Sequence, residues 1–168
     1  MSTERLFLVD PYNKSHIDMI KEFEKNNDID DKTSEYLKTI STTVSKEEYQ
    51  KQQKEKNEIT ENLFIERNNK ITDCCSIQGE KDIKRCKISI YPLKNKKIKR
   101  KLPSLATSYA INLLGMEEAF IIVENNDSTT MKYLDEEGFE NLGDENGKII
   151  YLKEKEDKDI YQRKISWK

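Results

Sequence analysis

The chain has 168 residues, of which 37% are charged and 35% are hydrophobic, a length and composition that suit one domain with its own core. Because 30 lysines and arginines stand against 32 aspartates and glutamates, no overall charge favours nucleic acid or a membrane surface. No apolar run approaches the ~20 residues of a membrane span, and no signal-peptide pattern opens the chain, so we expect a cytoplasmic domain over residues 1–168 with a charged tail from about 157.

The first third of the chain predicts a short strand followed by helices. The strand covers residues 6–9, and a helix then runs to about Lys25 with Ile17, Ile20 and Phe23 facing inward. A second helix has its apolar residues at helical spacing: Tyr36, Leu37, Ile40 and Val44. The charged stretch 46–57 suits either a solvated helix or a mobile loop.

From residue 59 the pattern changes to the alternation that is typical of strands. Three such segments, at residues 59–68, 71–78 and 83–91, predict an antiparallel meander. In the second hairpin, a four-residue loop would pair Gln78 with Ile83 and set Cys75 opposite Cys86.

The three cysteines, Cys74, Cys75 and Cys86, are expected to be free thiols, because their number is odd and no secretion signal is present. Their spacing and the single histidine, His16, argue against zinc. We therefore expect no metal site.

The clearest predicted helix covers residues 102–114. Its apolar residues recur at the spacing of one continuous helix face: Leu102, Leu105, Ala106, Tyr109, Ala110, Leu113 and Leu114. Pro103 suits its first turn and Gly115 its end. We expect this face to pack on a sheet with Leu105 and Leu113 buried, and exposure of both would count against the predicted fold.

The apolar run at residues 119–123 predicts a strand that is buried on both faces. With the preceding strand and helix, it makes a right-handed β-α-β crossover. A shorter helix follows near residues 128–137, and Asn146-Gly147 predicts a type I′ turn that closes a final hairpin.

This order of elements resembles the GNAT superfamily of N-acetyltransferases, and residues 88–152, which include Glu137-Gly138-Phe139, carry the resemblance. The resemblance implies an α/β fold with a GNAT-like mixed central sheet. Its other features would be an antiparallel N-terminal meander, a splayed parallel strand pair at the coenzyme site, and flanking helices. Residues 1–57 agree with the family only in the order of their elements.

The resemblance also implies that acetyl-CoA is the cosubstrate. In the family, a loop of the form Q/R-x-x-G-x-G/A opens a helix, and backbone amides there hold the coenzyme's pyrophosphate. Counting back from Leu102 places this pattern on residues 94–99, where Lys97 and Lys99 replace the small residues. These lysines either swing outward and attract the phosphates or fill the cradle. The expected coenzyme-binding residues are Ile88, Ile90, Lys94, Lys96, Lys97, Ile98, Lys99, Arg100, Lys101 and Asn126.

A tyrosine near the end of the matching region is the candidate acid that protonates the leaving thiolate. Counting forward from Asn126 reaches Tyr133, whereas counting back from Gly138 reaches Leu134 and puts Asp127 at the family's asparagine position. Tyr133 is therefore the candidate acid, and an ordinary surface tyrosine is the alternative.

A general base is needed to take a proton from an ammonium acceptor. The family's glutamate falls near Lys87, which cannot accept a proton while it is charged. Glu80, in the preceding turn, is the candidate base acting through water, and an ordinary turn carboxylate is the alternative.

The resemblance thus implies an N-acyltransferase that moves an acetyl group from acetyl-CoA to a primary amine of a small molecule or a protein. The alternative is an inactive relative that senses coenzyme A or contacts other proteins. A third hypothesis is RNA binding by the run 94–101, which holds six basic residues in eight. That run lacks the interleaved aromatic residues of a single-strand binder, so we do not expect nucleic acid. A homodimer is left open.

Overall fold

The computed structural model describes residues 4–26, 29–40, 44–91 and 100–156. Its strands are β1 (Glu4–Leu8), β2 (Glu58–Arg67), β3 (Lys70–Glu80), β4 (Arg85–Tyr91), β5 (Glu118–Glu124), β6 (Glu140–Glu145) and β7 (Lys148–Glu154). Its helices are α1 (Lys14–Asn26), α2 (Asp31–Lys38), α3 (Lys46–Glu55), α4 (Leu102–Asn112) and α5 (Ser128–Glu136). These strands form one seven-stranded sheet in the order β1-β2-β3-β4-β5-β7-β6, in which only β4 and β5 pair in parallel. The predicted fold class is confirmed.

The two faces of the sheet are covered by different helices. On one face, α4 and α5 close a core that includes Ile77, Ile88, Ile121 and Leu134. On the opposite face, α1 and α2 bury a second cluster: Val9, Met19, Ile20, Phe23, Tyr36, Leu37, Ile40, Phe64, Ile71 and Cys74. All the strand residues of this second cluster belong to β2 and β3, so it leaves β5 and β7 uncovered on that face.

Helix α2 is fixed to the sheet through Tyr36. Its ring stacks on Tyr91 with centroids 4.0 Å apart, and its hydroxyl donates to Asn62 Oδ1 at 2.6 Å. The helix ends at Lys38, so the prediction that Val44 belongs to the same helix was wrong. Of the two predictions for residues 46–57, the solvated helix is correct, because α3 has no buried residue.

Helix α4 packs on the sheet as predicted but buries a different face. Leu105 is 42% exposed and Leu113 is 72% exposed, so the prediction that both are buried was wrong. The residues that α4 does bury are Leu102, Pro103, Ala106, Thr107 and Ala110.

The geometry of α4 explains this rotation. At about 100° per residue, Leu105 lies about 130° from the centre of the buried arc. Leu113 comes after Asn112, the last helical residue. The small side chains of Ala106 and Ala110, both fully buried, allow the helix to approach the strands closely. The sheet therefore selects the alanine side of a broad apolar stripe, and the fold persists although the stated test on the two leucines failed.

The hairpin between β3 and β4 has a different register from the predicted one. Glu80 pairs with Arg85, Gly79 with Cys86, and Cys75 with Ile90, so the predicted pairing of Cys75 with Cys86 was wrong. The loop consists of residues 81–84, and the left-handed residue is Lys84 at φ 53°. Gly79 instead continues the strand.

Close packing explains why Gly79 stays in the strand. A Cβ atom at this position would lie 3.1 Å from the methyl carbon of Met116 and 3.2 Å from Cys86 Cβ. The glycine therefore provides room for a side chain from beyond α4. The turn forms two residues later than the sequence pattern suggested.

All three thiols are free, as expected, and all three are buried. Burial raises the pKa of Cys75 to about 12, with a further contribution from Asp73, and raises the pKa of Cys86 to about 11. Burial also raises the pKa of Cys74. At pH 8 each thiol is therefore in its unreactive neutral form.

We expect the native chain to react slowly with a thiol reagent at pH 8. The unfolded chain should react at once with three equivalents of the reagent, one for each thiol. The unfolded thiols regain a pKa of about 8.5 and full access to solvent. Timed titration with Ellman's reagent, with and without guanidinium chloride, measures both rates. Rapid labelling of all three thiols in the native chain would contradict their burial.

The turn at Asn146-Gly147 has the backbone that the sequence predicted, and Asn68-Asn69 forms another turn with positive φ. Asn146 and Gly147 lie at φ 56° and 82°, which fits a type I′ hairpin between β6 and β7. Asn68 and Asn69 lie at φ 55° and 62° between β2 and β3.

The charged tail from residue 157 lies outside the described residues. Within the described ranges, no helix is long and apolar enough to cross a membrane.

Candidate functional site

The two parallel strands separate halfway along their length. Four residue pairs join β4 to β5, from Arg85 with Glu118 to Ile88 with Ile121. Beyond this point, β4 continues to Tyr91 in register with β3, and β5 continues to Glu124 in register with β7. The facing edges of the two strands therefore open into a cleft where no cross-strand pair joins them.

The start of α4 lies at the open end of this cleft. β4 and β5 run parallel, so the helix that connects them must run back along the sheet from the end of β4 to the start of β5. Lys101 occupies the position before the helix and makes no side-chain cap, and the first turn has no acidic residue. The first backbone amides are therefore uncapped by a side chain, and the positive end of the helix dipole faces the cleft end of the sheet.

The predicted coenzyme-binding residues lie in different parts of this region, and some of them lie outside the described residues. Ile88 is the last residue of β4 that pairs with β5, and it is buried. Ile90 lies two residues further along the same face, beside the cleft. Asn126 is exposed in the turn after β5, and Lys101 is exposed at the start of α4. The remaining loop residues, Lys94, Lys96, Lys97, Ile98 and Lys99, lie outside the described residues.

Arg100 is engaged with α5. Its guanidinium group lies 2.8 Å from a carboxylate oxygen of Glu136. This ion pair ties the segment before α4 to the helix that carries Tyr133. Because Glu136 partly neutralises it, Arg100 contributes less positive charge to an anion at the start of α4 than the neighbouring Lys101.

The structure of α5 distinguishes Tyr133 from Leu134, the two residues that the alternative counts place at the position of the candidate acid. Leu134 is fully buried in the core. Asp127 caps the helix, because its carboxylate accepts from Thr130 N at 3.1 Å and from Thr130 Oγ1 at 2.7 Å. Both residues thus have structural roles, while Tyr133 is half-buried on the same helix.

Glu80 is not brought to the cleft. It pairs with Arg85 at the opposite end of β4, three residues before Ile88, which is about 10 Å along the strand. By strand alternation its side chain is on the face opposite α4, whereas Tyr133 belongs to a helix on the α4 face. The structure therefore does not bring the two candidate catalytic residues together.

Lys87 shares a large groove with Glu80 on this opposite face. The groove measures about 630 Å³, and its lining includes Gln78, Phe120, Ile122 and Ile150. Ile122 is 45% exposed, so the prediction that the strand 119–123 is buried on both faces was wrong. The reason is that α1 and α2 cover this face as far as the end of β4, where Tyr36 stacks on Tyr91, and the cluster that they bury includes no residue of β5. The signal in the sequence was Lys87 itself, a charged residue in a strand of the central sheet.

A second, smaller cavity of about 290 Å³ lies along the edge of β2 and includes Glu61 and Tyr49. Burial raises the pKa of Glu61, which is the kind of shift that a general base requires. However, Glu61 pairs with Ile77, which pairs with Ile88, and both isoleucines are fully buried. Glu61 therefore lies two strand spacings, about 10 Å, across the sheet from Ile88.

The comparisons with known proteins bear on the fold. No family model matches the sequence, and no curated protein matches it. Among solved structures, Campylobacter jejuni N-acetyltransferase PseH in complex with acetyl coenzyme A is 13% identical, with a TM-score of 0.58, over 92% of this chain and 100% of that one.

Vibrio cholerae spermidine N-acetyltransferase, solved as a dodecamer, is 13% identical with a TM-score of 0.59, over 90% of this chain and 93% of that one. These likenesses cover nearly the whole of each chain. The chain therefore has the fold of the GNAT N-acetyltransferases, as its sequence predicted.

Proposed function

We propose that this chain transfers an acetyl group from acetyl-CoA to a primary amine. The observation that supports this most is the separation of β4 from β5 after Ile88 and Ile121, beside the uncapped start of α4. A strand edge without a strand partner offers backbone donors and acceptors to an extended, amide-containing arm. A helix start offers amides to phosphates. Acetyl-CoA carries both groups at opposite ends.

In this proposal the pantetheine arm lies in the cleft against the backbone of Ile88 and Ile90. The phosphates lie at the start of α4, where Lys101 and the lysines of 94–99 add positive charge. Asn126, in the turn after β5, would contact the same ligand. The acetyl group would then lie near the point where the strands separate.

The reaction requires little of the protein beyond positioning. The acceptor ammonium loses a proton to water, and its nitrogen attacks the thioester carbonyl. A carbon–nitrogen bond forms, the carbon–sulfur bond breaks, and coenzyme A leaves as a thiolate. Tyr133 is proposed to protonate that thiolate, and Glu80 is proposed to accept the ammonium proton through a chain of waters.

A second candidate is a coenzyme A-binding protein without transferase activity. It is favoured by the position of Glu80 at the far end of β4 and by Lys87 at the place where the family's glutamate falls. Both proposals require the cleft and the helix start to hold coenzyme A, and they differ in turnover. The cytoplasmic location also remains a prediction.

Replacing both Lys97 and Lys99 with glycine tests how the loop binds. If the lysine ammonium groups hold the phosphates, coenzyme A affinity should fall and its dependence on salt should weaken, because exposed charges are screened over about 8–10 Å. If the lysine side chains fill the cradle, affinity should rise. Calorimetric titration of both proteins with coenzyme A at two salt concentrations measures this.

The matched control is a chain in which two exposed lysines of α3, Lys51 and Lys54, are replaced with glutamine, because α3 contacts Lys81 in the hairpin at the opposite end of β4. It removes the same charge and should bind coenzyme A as the unaltered chain does. If neither the unaltered chain nor the double-glycine variant binds at millimolar coenzyme A, the proposed function is wrong.

A further inference from the structure

The groove on the sheet face opposite α4 is lined by polar and charged side chains and by an apolar wall formed by Phe120, Ile122 and Ile150. Lys87 on β4 lies directly opposite Gln78 on β3, and on its other side it pairs with Phe120 on β5. Ile122 and its partner Ile150 on β7 continue the apolar wall toward the open end of the cleft. The groove therefore presents Lys87 beside a continuous apolar surface, and Arg85 also lines it, with its guanidinium carbon 5.5 Å from the centre of the Phe120 ring.

The groove ends where the strands separate. Lys87 immediately precedes Ile88, the last paired residue of β4, so its Cα lies about 3–4 Å along the strand from the cleft. Ile122 is the first residue of β5 beyond the last pair. A molecule in the groove can thus reach the cleft with one end while it contacts Lys87 and the apolar wall with the rest.

The charges of the groove differ between its two ends. Near the cleft, Lys87 makes no ion pair with any residue that the structure describes. At the outer end, Arg85 lies 3.4 Å from Glu118 and directly opposite Glu80, and Glu58 follows on β2. The positive charge of Arg85 is therefore balanced, and the carboxylates lie about 7 Å further from the cleft than Lys87. An anion is favoured only beside Lys87.

We propose that this groove is the acceptor site and that it binds an aminocarboxylate with an apolar side chain. The carboxylate pairs with Lys87, and the side chain packs on Phe120, Ile122 and Ile150. The positive charge of Lys87 repels the ammonium group, so the amine points away from it and toward the cleft beyond Ile88. This inference names the acceptor of the proposed transferase and rests on that function for its chemistry, but the binding of the acceptor can be measured separately.

The test uses L-phenylalanine as the probe and 2-phenylethylamine, which lacks the carboxylate, as its partner. In calorimetric titrations of the full chain, Lys87→Gln should weaken L-phenylalanine binding about 10-fold, since a hydrogen bond to a charged group is lost. Binding of 2-phenylethylamine should stay the same or tighten. Lys87→Arg should restore most of the L-phenylalanine affinity, and Lys70→Gln, an exposed lysine at the far end of β3, should leave it unchanged.

Coenzyme A titrations of the same variants separate this inference from the proposed function. If coenzyme A binds but L-phenylalanine does not, or binds equally well to Lys87→Gln, the groove is not an aminocarboxylate site and the transferase proposal still stands. If L-phenylalanine shows the expected loss and coenzyme A does not bind, the groove is confirmed and the transferase proposal fails.

A second copy of the chain is the competing occupant of this apolar surface. Sedimentation of the unaltered chain and of Ile122→Lys measures this. A dimer that dissociates in the variant, together with no binding of L-phenylalanine by the unaltered chain, would overturn the inference. A monomer in both, with the expected effect of Lys87→Gln, would support it.

Discussion

Replacing Leu102 with alanine is expected to lower the free energy of unfolding by about 2–5 kcal/mol. Leu102 is 1% exposed and belongs to the same core cluster as Ile88 and Ile121, the last pair that joins β4 to β5. Its truncation removes apolar contacts and leaves a cavity under the first turn of α4. Urea denaturation followed by circular dichroism measures the loss.

Leu105→Ala and Leu113→Ala are the matched controls on the same helix and its cap. Both leucines are exposed, and each change is expected to alter the free energy of unfolding by no more than about 0.5 kcal/mol. If either control costs as much as Leu102→Ala, then the helix buries its leucine side, and the described orientation of α4 is wrong.

Replacing Tyr133 with phenylalanine is expected to lower acetyl transfer about 100-fold while the affinity for coenzyme A stays unchanged. The substitution keeps the ring and removes the proton that the proposed acid donates, and an acid of this kind contributes roughly 10²–10⁴-fold. Thiol release from acetyl-CoA at saturating amine measures the rate, and calorimetry measures the affinity.

Tyr109→Phe is the matched control, because Tyr109 is also half-buried but lies on α4. It should leave the turnover within about threefold, as expected of a change that alters transition-state energy by less than 1 kcal/mol. Equal turnover in Tyr133→Phe and the unaltered chain would show that the thiolate takes its proton from water and that Tyr133 is a surface residue.

The order of strands and helices could be predicted because local sequence patterns indicate each element. Alternation marks β2 and β3, and the Asn68-Asn69 and Asn146-Gly147 turns have residues that tolerate positive φ. The register of the β3–β4 hairpin could not be predicted in this way. It depends on Met116, which packs where a side chain at Gly79 would lie and is distant in sequence.

The burial of particular residues depended on which helix covers which part of the sheet. An apolar stripe as broad as that of α4 fits the sheet in more than one rotation, and the fully buried Ala106 and Ala110 determine the one that forms. Similarly, the run 119–123 does not reveal that α1 and α2 leave Ile122 exposed. The groove beside Lys87 was missed for this reason.

The candidate site was predictable where it depends on backbone position. Ile88 and Ile90 lie at the separation of the strands, as the resemblance implied. The position of Glu80 was not predictable, since it depends on the hairpin register and on strand alternation across two faces. Placing Lys87 in the groove likewise required the faces of the sheet to be known.

The most direct test of the central claim is a calorimetric titration of the unaltered chain with coenzyme A, paired with urea denaturation at saturating ligand. We expect saturable binding with one site per chain. At 100 times the dissociation constant, the ligand should raise the free energy of unfolding by about 2.7 kcal/mol. No heat of binding and no stabilisation at millimolar coenzyme A would contradict the claim that this GNAT fold binds acetyl-CoA.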